Sequence, residues 1–174
     1  MAAGGTTKYA QPGVLELLCG RLDQLAALIG ANPALLSARC DALDFGTTGG
    51  RMLTLKGALL LHVATEYRNF DAINLLLGHG ADVNARASID DGGVGGQTAI
   101  FHAVTQADDG GVAVARLLPD RGANLSLRAK LPGHYERPGE VVECTPLGYA
   151  LRFQETRSDN GMTVALLRER MAPE

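Results

Sequence analysis

Residues 59–84 read LLLHVATEYRNFDAINLLLGHGADVN, and this stretch decides the fold. In its second half Ile73 and the leucines at 75–77 are apolar at helical spacing, which predicts a helix with one buried stripe. In its first half Ala64 is small enough for a paired helix to approach closely. Gly80 supplies the left-handed backbone that commonly ends a helix. The stretch therefore predicts two short helices joined by a turn.

The same frame recurs along the chain. Ala103 and Ala150 stand where the quoted stretch has Ala64, and a weaker copy near the N-terminus keeps Leu25 and Ile29 at helical spacing. One helix pair cannot bury its own apolar face. Neighbouring pairs must therefore stack, and the end pairs act as caps.

Threonine and proline residues indicate helix boundaries. Thr98 and Thr145 suit an N-cap, and Pro146 suits the first helical position, because no backbone donor is lost there. Pro119 lies inside a second helix or at its last turn. Proline there removes a donor and crowds the preceding turn, so we expect that helix to end or kink near Leu118.

These motifs resemble the ankyrin repeat family. The openings TAIFHAV at Thr98 and TPLGYAL at Thr145 match its first helix, and the closing turns are Gly80-Ala81-Asp82-Val83-Asn84-Ala85 and Gly122-Ala123-Asn124-Leu125. The family repeats every 33 residues, so the units here are stretched. The resemblance implies an all-α ankyrin-repeat solenoid of about four helix-turn-helix units with extended β-hairpin fingers. Within a single domain over 1–174, the units are predicted at about 9–40, 57–88, 96–128 and 143–174.

The stretching falls in the connections between units, at about 40–57, 86–97 and 127–144. In ankyrin proteins such connections project as fingers, and Asp-Gly and Gly-Gly steps between β-branched residues are typical of hairpins. The third is predicted to be an extended hairpin with a polar tip. Two interpretations stay open: the fingers are solvated spacers, or they lengthen one wall of a binding groove. The second interpretation assigns partner contacts to His134, Tyr135, Glu136 and Arg137.

In ankyrin proteins that bind partners, the residues just after the alanine of each first helix face the groove. Carried over to this chain, they are Glu66, Tyr67, Thr105, Gln106, Arg152 and Phe153. Tyrosine and arginine often anchor interfaces, although Phe153 could instead cover the last helix. The favoured function is noncatalytic recognition of a protein or peptide through the concave face and the fingers.

A second hypothesis is a small-molecule or enzymatic pocket under the 127–144 finger, with His102, His134 and Glu143 as candidate catalytic residues. A structural role is favoured for His62, which stands where the family's imidazole bonds to backbone, and for His102. No CxxC or HExxH spacing predicts a metal site, and no phosphate-binding or other cofactor motif is present. A third hypothesis is self-association through imperfect end caps.

Composition restricts the class of protein. The formal net charge of −3 and the pI of 5.8 give no electrostatic case for nucleic acid. No stretch approaches the roughly 20 apolar residues that cross a membrane, and no secretory signal is predicted. The three cysteines (Cys19, Cys40 and Cys144) are scattered and odd in number, which predicts reduced thiols and a cytoplasmic location. The excess of arginine over lysine is typical of a GC-rich, bacterial coding bias.

Overall fold

The computed structural model describes residues 12–40, 53–133, 136–137, 139–155 and 159–172. Most of the first finger lies outside the described residues, as do the predicted partner contacts His134 and Tyr135. Where the chain is described, its regular structure is helical apart from one two-stranded sheet.

The described helices fall into pairs along the chain. The α-helices are α1 (Val14–Leu18), α2 (Leu22–Ala31), α3 (Leu60–Glu66), α4 (Phe70–Gly78), α5 (Ile100–Val104), α6 (Val112–Asp120), α7 (Pro146–Gln154) and α8 (Gly161–Met171). Each odd-numbered helix packs against the even-numbered helix that follows it. The odd-numbered helices, which are the first helices of the pairs, also contact one another in series from α1 to α7. This part of the chain is therefore a helical repeat.

The buried side chains form a core that runs through all of the pairs. Ile73 and Leu76 are fully buried, which confirms the apolar stripe predicted for the second helix of the quoted stretch. Ala64, Ala103 and Ala150 are also fully buried, as close packing of the first helices requires. No helix in the described ranges is long and apolar enough to cross a membrane.

The predicted helix boundary is confirmed at Thr145, whereas the structure differs from the prediction at Thr98 and at Pro119. The Thr145 hydroxyl accepts a hydrogen bond from the Gly148 N–H at 3.2 Å, which confirms the predicted cap. The cap predicted at Thr98 is wrong. The backbone of Ala99 is already helical, and Phe101 N–H donates to the Thr98 carbonyl at 3.2 Å, so a tight backbone turn starts α5 without a side-chain cap.

Pro119 does not end its helix where we expected. Helix α6 continues through Pro119 to Asp120. In the last turn the proline removes only one donor, and the Arg121 N–H still reaches the Leu117 and Leu118 carbonyls at 3.2 and 3.1 Å. Leu118 is fully buried, so packing holds this turn in place.

The third finger is a hairpin, as predicted. Strand β1 (Ala129–Pro132) pairs antiparallel with β2 (Val141–Cys144), with Ala129 opposite Cys144. The second finger is a tighter turn closed by a bridge between Ile89 and Gly95. Gly95 also bridges to Lys130 of β1, with its N–H 2.7 Å from the Lys130 carbonyl oxygen. The second and third fingers are therefore joined along their backbones.

Candidate functional site

The ends of α3 and α5 are linked by a polar network. Glu66 is the last residue of α3, and its Oε2 lies 2.9 Å from Nδ1 of His102, which is fully buried in α5. The side-chain amide of Gln106 donates to the carbonyl oxygens of Glu66 at 2.8 Å and His102 at 3.2 Å. His102 therefore holds the Glu66 carboxylate, and Gln106 holds the Glu66 backbone, from the neighbouring helix pair.

Tyr67 follows this network on a tightly held turn. Its side chain is among the exposed large hydrophobic ones, with 48% of the residue surface accessible. The Tyr67 N–H donates to the Val63 carbonyl at 3.1 Å, and Asn69 caps α4 by accepting from the Ala72 N–H at 3.0 Å. The Asn69 side-chain amide also reaches the Leu17 carbonyl of the preceding pair at 3.3 Å. The aromatic ring is thus presented on a rigid backbone.

Three residues assigned to the partner surface from sequence are buried. Thr105 is 5% exposed and donates to the carbonyl of Phe101 in its own helix at 3.4 Å, and Gln106 is 8% exposed. Phe153 is 2% exposed, with its ring 5.0 Å from that of Tyr149. We correct the expectation accordingly: these side chains support the surface and do not form it. Phe153 packs in the hydrophobic core instead.

A charge cluster ties the third finger to the end of α7. It consists of Arg137, Glu140, Arg152 and Glu155. Glu155 accepts from Arg137 at 3.0 Å and from Arg152 at 3.1 Å, while Arg152 also forms an ion pair with Glu140. The hydrogen bond from Arg152 to Glu140 raises the pKa of the Arg152 guanidinium. Two of the predicted contacts, Arg137 and Arg152, therefore lie together, and Glu136 is an exposed neighbour of Arg137.

His62 has the structural role predicted for it. It is 1% exposed, accepts from the Leu59 N–H through Nδ1 at 3.4 Å, and donates through Nε2 to the Gln97 carbonyl at 3.0 Å. Burial, and after it the nearby His102, lower its pKa to about 3. The imidazole is therefore neutral and serves as a hydrogen-bonding link between helix pairs.

Two candidate residues of the enzymatic hypothesis, His102 and Glu143, are held by different partners, and the third, His134, lies outside the described residues. His102 is engaged with Glu66, whereas Glu143 has a 64% exposed side chain and pairs with Arg128 at 3.3 Å. The alternation along β2 turns Glu143 toward solvent. Burial raises the pKa of the Cys144 thiol to about 11, so this thiol remains protonated at neutral pH. In the described portion of the chain, no group of three or more His, Cys, Asp or Glu residues could hold a metal ion.

A series of arginines that sequence reasoning missed joins the successive units. Arg39 donates to the carbonyls of Gly57 at 3.3 Å and Arg86 at 2.8 Å. Arg86 in turn donates to the carbonyls of Gly96 at 2.9 Å and Arg128 at 2.8 Å. Arg128 is the last arginine of the series and donates to the Glu143 carbonyl at 2.8 Å. The signal in the sequence is an arginine followed by a small residue in three equivalent places, namely Ala38-Arg39-Cys40, Ala85-Arg86-Ala87 and Leu127-Arg128-Ala129.

Asp109 is a second residue whose role was missed. It lies in the short 3₁₀ turn between α5 and α6, where the third unit has extra residues. Its carboxylate accepts from the Met162 and Thr163 N–H groups at 3.1 and 2.9 Å and so caps the start of α8. The extra residues therefore allow one unit to cap a helix of the next.

Comparison with known families supports the helical-repeat description. Residues 56–88 match the family model of the ankyrin repeat. This segment is accordingly an ankyrin repeat, and such repeats are in general modules for protein–protein interaction. No curated protein matches the chain.

Proposed function

We propose that this ankyrin repeat protein is a noncatalytic recognition module for a protein or peptide partner. In this proposal the helix pairs form a solenoid of four units, at about 9–40, 57–88, 96–128 and 143–174. The partner lies along the exposed ends of the first helices, near Glu66, Tyr67 and Arg152, and reaches the third finger. The proposal includes a cytoplasmic location and no requirement for nucleic acid or a membrane.

The exposed Tyr67 side chain is the observation that carries this proposal. A large aromatic side chain with 48% of its surface accessible is available for burial by a partner. The turn that carries it is already held by hydrogen bonds, from the Tyr67 N–H to the Val63 carbonyl and from the Asn69 side chain to the Leu17 carbonyl. Binding would therefore require little loss of conformational entropy, which favours affinity.

The charge cluster supplies the charged groups of the proposed partner surface. Arg152 and Arg137 face Glu140 and Glu155 at partly exposed positions, with the Arg152 side chain 34% accessible. A partner carboxylate near Arg152 would complement this surface through charge-assisted hydrogen bonds. Arginine and tyrosine together are the residue types that most often dominate binding energy.

A capture experiment with matched variants tests the proposal. Wild-type bait should capture a partner from native cytosol that the Tyr67→Ala/Arg152→Ala double variant does not. Phe70→Ala is the control, because Phe70 is a similarly exposed aromatic residue (40%) on the second helix α4. Calorimetry with the purified partner should then show loss of binding for the double variant and retention for the control. Equal affinity of the double variant and the wild type would refute the proposed surface.

The contribution of the third finger requires its own variants. Glu136→Ala and Arg137→Ala, together with alanine variants of His134 and Tyr135, should weaken partner binding without lowering the melting temperature. For Arg137, only partly exposed ion pairs with Glu140 and Glu155 are lost, which contribute about 1 kcal/mol or less to folding. Unchanged affinity in all of these variants would instead support the interpretation of the fingers as solvated spacers.

A further inference from the structure

The fingers surround a cavity that the proposed recognition surface does not use. Its volume is about 550 Å³, within the range of small-molecule sites. Its lining comes from three parts of the chain. The segment before α3 contributes Leu53, Thr54, Lys56 and Gly57, the second finger contributes residues 88–91, Val94 and Gly95, and β1 contributes Leu131 and Pro132. The residues lining it are separate from Tyr67 and from the charge cluster.

The walls of the cavity are largely apolar. Leu53 and Leu131 are buried, and Val94 is partly buried. Ile89 is 62% exposed, more than any other described leucine or isoleucine that counts as exposed. A ligand with an apolar body would remove this side chain from water and gain hydrophobic free energy.

Gln97 gives the cavity a polar group that lacks a partner. The residue is 2% exposed, and its Nε2 donates to the Thr54 carbonyl at 3.3 Å, which sets the orientation of the amide. Its Oε1 is buried and has no hydrogen-bond partner in the described part of the chain. Because an unsatisfied buried acceptor costs free energy, a donor on a ligand would be stabilised there.

The charges near the cavity cancel one another. Lys56 and Lys130 are balanced by Asp90 and Asp91. The Asp90 carboxylate already accepts from the backbone of its own turn, at 2.9 Å from the Gly92 N–H, and Lys130 Nζ donates to the Gly92 carbonyl at 3.3 Å. These groups stabilise the second finger and leave no net charge to attract an ion.

The walls are held in place before any ligand binds. Ser88 N–H donates to the Gly57 carbonyl at 2.9 Å, and an added Cβ at Gly57 would lie 2.4 Å from Ser88 Cβ. Gly95, with φ +124°, approaches Ser88 equally closely and is bonded to β1 on its other side. The bases of the fingers are thus joined by close backbone contacts that only glycine permits.

We propose that this cavity binds an uncharged, largely apolar small molecule with an N–H or O–H donor, which Gln97 Oε1 accepts. This site goes beyond the protein-recognition function and does not depend on it. Indole is a suitable probe, because it combines a flat apolar body with one N–H donor. Its matched control is 1-methylindole, in which a methyl group replaces that donor.

An NMR titration of the full chain tests the proposal directly. Indole should shift the amide signals of Val94 and Gly95 in ¹⁵N–¹H spectra, and 1-methylindole should bind about tenfold more weakly. Gln97→Met should reduce indole binding to the level of 1-methylindole. Gln154→Met makes the same change at a glutamine of α7 outside the cavity and should bind indole like the wild type.

The outcomes separate the ligand site from general effects on folding. Thermal melting of both methionine variants reports their stability independently of binding. If Gln97→Met does not fold, the affinities of the wild type for indole and 1-methylindole still show whether a ligand donor is recognised. No shift at Val94 or Gly95, or equal affinity of the wild type for indole and 1-methylindole, would overturn the proposal.

Discussion

Acidification from pH 7 to pH 5 is expected to destabilise the protein through His62. Burial lowers the pKa of this residue from 6.5 to about 3, so the folded chain keeps it neutral over this range. The unfolded chain takes up a proton as the pH falls below 6.5. The stability that neutral His62 contributes is therefore present above pH 6.5 and is lost progressively toward pH 3. Linkage gives a loss of about 2 kcal/mol between pH 7 and pH 5.

A comparison with His62→Gln isolates this contribution. Glutamine cannot titrate, and its amide offers both an acceptor and a donor in place of the imidazole. The variant should be less stable than the wild type at pH 7, and this difference should shrink by about 2 kcal/mol at pH 5. Urea unfolding followed by circular dichroism measures both values. His79→Gln makes the same substitution at an exposed histidine and is measured in parallel as the control. A difference between wild type and His62→Gln that is the same at both pH values would refute the reasoning.

Three further predictions concern the links between units. Asp109→Asn should lower the free energy of unfolding by about 1 kcal/mol in urea titrations, because the cap on α8 loses its charge and one acceptor; Asp108→Asn, at the exposed neighbouring position, should have little effect. Arg86→Lys should lower the free energy of unfolding in urea by about 1 kcal/mol, since an ammonium group cannot reproduce the guanidinium contacts with two carbonyls. An unchanged midpoint of urea unfolding would contradict this. Gly95→Ala should lower the free energy of unfolding by about 2 kcal/mol or more, because its Cβ would lie 2.2 Å from the Ser88 carbonyl oxygen. The amide of residue 95, which donates to the Lys130 carbonyl, should exchange faster in this variant; protection equal to the wild type would count against the close contact.

The helix pairs could be predicted because their signals are local. Apolar residues at helical spacing identified the stripe at Ile73 and Leu76, and one threonine hydroxyl identified the start of α7. The error at Thr98 has a different origin. A threonine before a helix is compatible either with a side-chain cap or with a tight backbone turn, and the choice depends on the packing of the buried residues that follow.

The candidate surface was predictable only in part. Position after the alanine of each first helix indicated Tyr67, whose side chain is exposed, and Arg152, whose side chain is partly exposed, but it could not show that Phe153 turns toward Tyr149. The direction of a side chain near a helix end depends on its tertiary neighbours. The cavity between the fingers could not be predicted from the sequence, because its walls come from three connections that are far apart along the chain.

The arginine series has a consequence for how such a chain can change in length. Each guanidinium bonds to main-chain carbonyl oxygens, which every residue type presents, so the join between units does not depend on the neighbour's side chains. A unit that carries its own arginine could be duplicated or lost, and the next unit in line would restore the same bonds. The finger sequences can then diverge toward new ligands while the distance from one finger to the next stays constant.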